Sequence, residues 1–288
     1  MPSLIDLRRR IRSVKNTEQI TKAMKMVSAA KLRRAQQAVV SARPYSGLLE
    51  DMLSSVLASE AEEDAALSHP LLERRNCRKV QLLVLAGEKG LCGSFNSNVF
   101  KAVGEFAERR SEHAVELELL GRKAVDFFRR RDLGVSGKWE QVFGRVELPT
   151  AQAVAAKAMQ RFSDGDADEV WIAYNRFKSV LSQEPVIEQV LPIVPPEEAE
   201  SGGSSYEYEQ PAEQLLGALL PKRVVTQVFL AMLESASAEH AARMTAMDAA
   251  TRNAGEVLDK LTLHLNRVRQ ASITTEIIEI VSGTAAQE

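Results

Sequence analysis

Apolar residues at the start of the chain fall at Leu4, Leu7, Ile11 and Val14. This alternation of three- and four-residue steps predicts a helix with a narrow packing seam. The seam is expected to resume out of phase at Ile20, Met24 and Val27, then to become alanine-rich through Ala29, Ala30, Ala35, Ala38 and Ala42. Pro44 removes one backbone donor and predicts a kink rather than an end. Leu49, Met52, Leu53, Val56 and Leu57 restore the stripe beyond it. The other end of the chain mirrors this pattern. Val225, Val228, Phe229, Met232 and Leu233 lead into Ala236, Ala238, Ala241, Ala242, Ala246, Ala249, Ala250 and Ala254, and Leu258, Leu261, Leu265 and Val268 finish it.

Roughly 60 residues of helix would measure about 90 Å, whereas a compact domain of roughly 120 residues is only about 30 Å across. Helices of that length project from a body and must pair, because an isolated helix cannot bury its own apolar stripe. Both are bulky at their ends and small in the middle. Small residues let two backbones approach, so the expected arrangement is an antiparallel left-handed coiled coil built from both termini. Two helices of an ordinary bundle are the alternative, and the chain lacks further helices long enough to complete one.

Between the ends the period changes. Val80 to Ala86 is a continuous apolar run suited to a buried strand. Helix is expected at Asn98 to Arg110, strand at Ala114 to Leu120, helix at Lys123 to Arg131 and a weak strand near Ser136 to Phe143. A helix from Thr150 to Phe162 and strands at Glu169 to Phe177 and Val186 to Val194 follow. Such alternation predicts a largely parallel sheet covered by helices. The fold class is therefore α/β plus a long coiled coil, with a central Rossmann-like domain. The expected organisation is an N-terminal coiled-coil helix (1–59), an α/β foot domain (76–196), an acidic Gly/Ser linker (197–211) and a C-terminal coiled-coil helix (212–288).

Charge changes this picture locally. The net charge is −2, so no global field favours nucleic acid, yet residues 1–43 carry Arg8, Arg9, Arg10, Arg12, Lys15, Lys22, Lys25, Lys31, Arg33, Arg34 and Arg43 against only Asp6 and Glu18. Such an arm is a solvated helix face or a contact for an acidic protein or phosphate surface. Acidic clusters follow at Glu60 to Asp64 and Glu197 to Glu200. Cys77 and Cys92 have no spacing that suggests zinc or a disulfide framework, which makes a reducing compartment the default. No run of about 18 apolar residues stands out as a membrane span. The first residues lack an apolar signal core, and a transit peptide would not carry a heptad-like stripe.

The turn Gly87-Glu88-Lys89-Gly90-Leu91-Cys92-Gly93-Ser94 sits between a strand and a helix, where nucleotide folds bind phosphate. Its spacing matches neither the dinucleotide fingerprint nor a Walker loop. The strand that should supply a ribose-binding acid ends in Gly121-Arg122. A structural turn without bound nucleotide is expected. His69, His113, His240 and His264 have no metal-ligand spacing, and no nucleophile elbow occurs; no catalytic residue, cofactor site or metal site is expected. Glu276 and Glu279 share a helix face. Ile273-Thr274-Thr275-Glu276-Ile277-Ile278-Glu279-Ile280-Val281 is apolar on two sides and would be an aggregation hazard if exposed. It must be enclosed, as a strand of this chain or as a helix tip inside another protein.

Three blocks, Ile20-Thr21-Lys22-Ala23-Met24-Lys25-Met26-Val27, Gly90-Leu91-Cys92-Gly93-Ser94-Phe95-Asn96 and Arg267-Val268-Arg269-Gln270-Ala271-Ser272-Ile273-Thr274-Thr275-Glu276, occur in that order. Together with Ala242-Arg243-Met244-Thr245-Ala246-Met247 they make the whole chain resemble the gamma subunits of F-type ATP synthases. The resemblance implies a non-catalytic rotor shaft lying in the axis of alternating alpha and beta subunits. It implies a foot that contacts the epsilon subunit and the membrane c-ring, at the cytoplasmic face of a bacterial inner membrane. No nucleic acid and no direct membrane span are implied. Lys22, Met24 and Lys25 would face an acidic lever loop of beta, and Arg243, Gln270, Thr274 and Glu276 would form an upper contact set. The absence of a cysteine-bearing insertion of the chloroplast type favours a bacterial origin. If Met24 lies level with Arg243, Leu4 sits near His264 and the chain continues alone from about Leu265. Two rival functions are a coiled-coil adaptor with a nucleic-acid-binding basic arm and a Rossmann-type enzyme with a ligand at Gly87 to Gly93.

Overall fold

The computed structural model describes residues 4–62, 69–131, 133–194 and 210–285. Both terminal segments are helical: α1 spans Leu4–Glu62 with Pro44 inside it. The last helix, here α5, spans Ala212–Ala285 with Pro221 inside it. Most of the linker expected at 197–211, with the acidic cluster Glu197 to Glu200, lies outside the described residues. The chain divides into two compact units, residues 1–28 with 243–288 and residues 29–242.

The larger unit is built on a five-stranded sheet. Its strands are β1 (Lys79–Leu85), β2 (Ala114–Leu120), β3 (Gly134–Trp139), β4 (Glu169–Phe177) and β5 (Gln183–Leu191). Helices α2 (Phe95–Arg109), α3 (Arg122–Phe128) and α4 (Leu148–Ser163) intervene. The order is β3-β2-β1-β4-β5. β1, β2, β3 and β4 run parallel, and β5 returns antiparallel along β4. Central β1 is buried at every position after Lys79, as a strand covered on both faces must be. β5 lies three residues earlier than its apolar pattern suggested. Pro185 is tolerated there because an edge strand need not donate from every residue.

Each sheet face has its own core. On one, Val99, Phe100, Val103 and Phe106 of α2 and Ala124, Val125 and Phe128 of α3 pack on Val80, Leu82, Val84, Leu117 and Leu119. On the other, Val154, Ala158 and Phe162 of α4 meet Leu49, Leu53 and Val56 of α1 and Leu216, Leu220, Val224, Val228 and Met232 of α5. By composition alone α5 is long and apolar enough to cross a membrane, with a window of mean hydropathy 1.4. Those buried residues make its first part the core helix of this unit instead.

The Glu118 carboxylate is sealed inside. Glu118 accepts hydrogen bonds from Lys157 Nζ at 2.8 and 3.0 Å, Trp139 Nε1 at 2.6 Å and Ser136 Oγ at 3.1 Å. A buried charge survives only with this degree of pairing. Its position coincides with the register shift between Leu117 and Glu118 along β3.

Candidate functional site

The smaller unit pairs α1 with the last part of α5. Of the α1 residues in this unit Leu4 and Met24 are half-buried, while Leu7, Ile11, Val14, Glu18, Thr21, Lys25 and Ser28 form an inward or half-inward line. They keep strict three- and four-residue steps, so the seam never slips. Ile20 and Val27, expected to carry a displaced seam, are 59% and 56% exposed. The reason is that polar and small residues occupy the in-phase positions. Thr251 Oγ1 meets Thr21 Oγ1 at 2.8 Å, and Lys25 Nζ donates to Asp248 Oδ1. On α5 the matching seam runs through Met247, Thr251, Ala254, Leu258, Leu261, Leu265, Val268 and Ser272.

These pairs correct the expected register. Met24 comes level with residue 249, not Arg243, a displacement of about 9 Å along the helix. Leu4 accordingly comes level with residue 269, and α5 continues alone about five residues later than expected. Beyond Ser272 every described side chain up to 282 is exposed, including Ile273, Ile277, Ile278, Ile280 and Val281. The segment is helical, which removes the strand alternative.

The sequence-derived contact residues fall at two levels. Lys22 is exposed, Met24 is half-buried beside the seam and Lys25 is half-buried within it. Arg243 is buried within the chain and lies about 40 Å of helix before Gln270. It does not join Gln270, Thr274 and Glu276, all exposed within seven residues of one another. There Thr274 Oγ1 donates to the Gln270 carbonyl at 2.9 Å and Ser272 Oγ donates to Glu276 Oε1 at 3.2 Å. Sequence reasoning missed Asp248 and Thr251, which set the register. An acid and a hydroxyl within an alanine-rich run were the available signal.

The side-chain hydrogen bond from Lys25 holds the Asp248 carboxyl below its ordinary range, and Arg252 adds to this. A group with a depressed folded pKa contributes stability that is present above its unfolded value, near 3.9, and lost as pH falls through the folded value. Both partners are partly exposed, so the pair contributes little to overall stability and acts mainly on register. In Lys25→Ala, Asp248 is expected to titrate at higher pH than in the native chain. Carboxyl-resolved NMR titration measures this, and an unchanged titration would contradict the pairing.

In the larger unit the Gly87 to Gly93 turn follows β1 and faces the boundary with β4, the point at which doubly wound sheets take their ligands. Here the chain fills that crevice itself. Cys92, Phe95 and Ala238 form a buried cluster with Phe177 and Ala242. The Glu239 carboxyl group lies where a Gly87 side chain would be, 2.9 to 3.2 Å from an added Cβ. Gly87 N donates to Asn96 Oδ1 at 2.9 Å, and Arg122 N donates to Glu88 Oε2 at 3.1 Å. At Gly87 the position of an approaching ligand is therefore taken by the Glu239 carboxyl group. A separate cavity of about 420 Å³ is lined by Glu50, Tyr174, Arg176, Glu188, Arg223 and Glu234. Arg176 pairs with Glu188 and Arg43 with Glu234, so the lining offers no dominant sign of charge.

His69 accepts from Leu71 N through Nδ1 at 3.2 Å and caps a short 3-10 turn. The Cys77 thiol is pushed up to about 11 by burial and by the Glu169 carboxylate, which suppresses thiolate chemistry.

A family model described as ATP synthase matches residues 3–287. The ATP synthase gamma chain of Solibacter usitatus (strain Ellin6076) is 53% identical over 288 residues, with both chains covered completely. That of Anaeromyxobacter sp. (strain Fw109-5) is 47% identical over 289 residues, covering 99% of each. A chain in the Euglena gracilis mitochondrial ATP synthase (OSCP/F1/c-ring, rotational state 3) shares the fold with a TM-score of 0.70 at 21% identity. The match covers 99% of this chain and 94% of that one. The central stalk/c-ring structure of the Tetrahymena thermophila mitochondrial enzyme matches with a TM-score of 0.62 at 24% identity, covering 80% and 99%.

Proposed function

The chain belongs to the ATP synthase gamma-chain family, and we propose that it acts as the rotor shaft that couples turning of a membrane c-ring to conformational change at beta-subunit catalytic sites. It makes and breaks no substrate bonds in this role. The observation that carries the reading is the end of α5, a continuous helix on which Ile273, Ile277 and Ile278 stand exposed among the described residues. Burial of such side chains is worth about 1.5–3 kcal/mol each, which an apolar sleeve of alpha and beta subunits would supply.

A shaft biases a site only by interacting differently with the site's open and closed states. The two levels of contact residues supply that difference. Lys22 and Met24 face an acidic lever loop of beta, and Lys25 beside them anchors that level through Asp248; Gln270, Thr274 and Glu276 meet the head about 32 Å further along. Arg243, buried in the chain, serves from within the helix pair. The α/β domain meets the epsilon subunit and the c-ring, and the complex works at the cytoplasmic face of a bacterial inner membrane. The gamma chains of bacteria to which this chain is similar support that placement.

Amide exchange tests the reading. Residues Ile273 to Val281 are expected to be protected in the assembled complex and unprotected in the isolated chain. Equal protection in both states would mean that the tip packs without a sleeve.

A further inference from the structure

Glycine-rich turns at the carboxyl edge of a parallel sheet are open so that a ligand can approach the backbone. In this chain the approaching group is a side chain of α5. Glu239 is almost fully buried, and its carboxyl carbon would stand 2.9 Å from any Cβ placed on Gly87. One turn of helix is thereby keyed into the sheet edge. The key is held from both sides. Asn96 fixes the Gly87 amide at 2.9 Å, the buried Asn175 of β4 donates to the Phe95 carbonyl at 3.1 Å, and Ala238 sits against Cys92 and Phe95. Elsewhere α5 meets the sheet through Leu216, Leu220, Val224, Val228 and Met232. Those contacts are a close-packed apolar core, whereas the Glu239 seat holds a single carboxyl group against one point of the sheet edge.

We propose that Glu239 is a positioning residue for rotary coupling, and that the Gly87 to Gly93 turn is its socket, locking α5 against twist relative to the α/β domain. This rests on the rotor reading above. Torque entering through the domain then reaches α5 at a defined angle, because a side chain seated against the Gly87 backbone fixes the helix at that point. The same arrangement explains why the turn carries glycine at 87 without a phosphate site.

The test uses the reconstituted complex with Glu239→Ala, Glu239→Gln and Gly87→Ala chains. Two quantities are read: protons pumped per ATP hydrolysed, and the angular fluctuation of a probe on the α/β domain while the head is stalled. Glu239→Ala should at least halve coupling and widen the fluctuation by about half or more, with hydrolysis held within about twofold. Glu239→Gln keeps the size and hydrogen-bonding capacity of the side chain and should restore both. Gly87→Ala, which pushes the carboxyl group out of its seat, should behave as Glu239→Ala does. A purely structural role would alter assembly without widening the fluctuation of assembled complexes. Native fluctuation in Glu239→Ala overturns the proposal, as does failure of both alanine variants to assemble. A native complex whose α/β domain does not turn under ATP would instead overturn the rotor reading, whatever the variants do.

Discussion

Met24→Lys is expected to slow a rotary step by more than tenfold and to lower protons translocated per ATP hydrolysed, while the complex still assembles. Met24 is half-buried beside the α1 seam, and the stem of a lysine can cover the same surface while its ammonium reaches solvent. Assembly is therefore spared. The charge is the difference. Lys22 is exposed, whereas Lys25 is already engaged by Asp248. A cation at 24 would double the free positive charge at this level and over-strengthen attraction to an acidic lever in one rotary state. Partly desolvated pairs of this kind are worth a few kcal/mol, and about 1.4 kcal/mol suffices for each tenfold in rate. Parallel measurement of pumping and hydrolysis in reconstituted vesicles gives the ratio. A native ratio would remove Met24 from the coupling contacts.

Gly121→Ala is expected to destabilise the isolated chain by about 2–5 kcal/mol, from left-handed backbone cost and overpacking together. Gly121 has φ +95°, and an added Cβ would stand 2.0 Å from the Ala86 carbonyl oxygen. That carbonyl cannot retreat freely, because Ala86 N is bonded to Leu120 O at 2.9 Å and Gly121 N to Trp139 O at 2.8 Å. Three strands converge on one glycine. A domain of this size should lose on the order of 10 °C in melting temperature. A shift below about 2 °C would show that the junction can relax.

The backbone elements were legible wherever burial and period agree. Ala114–Leu120 and Glu169–Phe177 are found at their expected bounds, and the continuous apolar run of β1 marks the sheet centre. The helix-pair seam was misread because its middle positions are Glu18, Thr21, Lys25 and Ser28. A hydrophobic pattern does not show a seam made of polar and small residues. Register failed for the same reason. It is set by Lys25 with Asp248 and Thr21 with Thr251, pairs more than 200 residues apart in sequence. Glu118 was equally hidden, since its partners come from β3 and α4. Of the contact residues, Gln270, Thr274 and Glu276 lie exposed within seven residues of one another on α5. Arg243 lies about 40 Å of helix before them, and only three-dimensional packing shows that it is buried.

Direct observation of rotation tests the central claim. Leu181, 83% exposed in the turn between β4 and β5, offers a site for a thiol-linked probe as Leu181→Cys. Native Cys92 is buried and the Cys77 thiol is suppressed, so labelling at neutral pH is selective. With the head fixed to a surface and ATP supplied, the probe should turn continuously in one direction. A probe that stays fixed while an assembly containing this chain hydrolyses ATP would contradict the account.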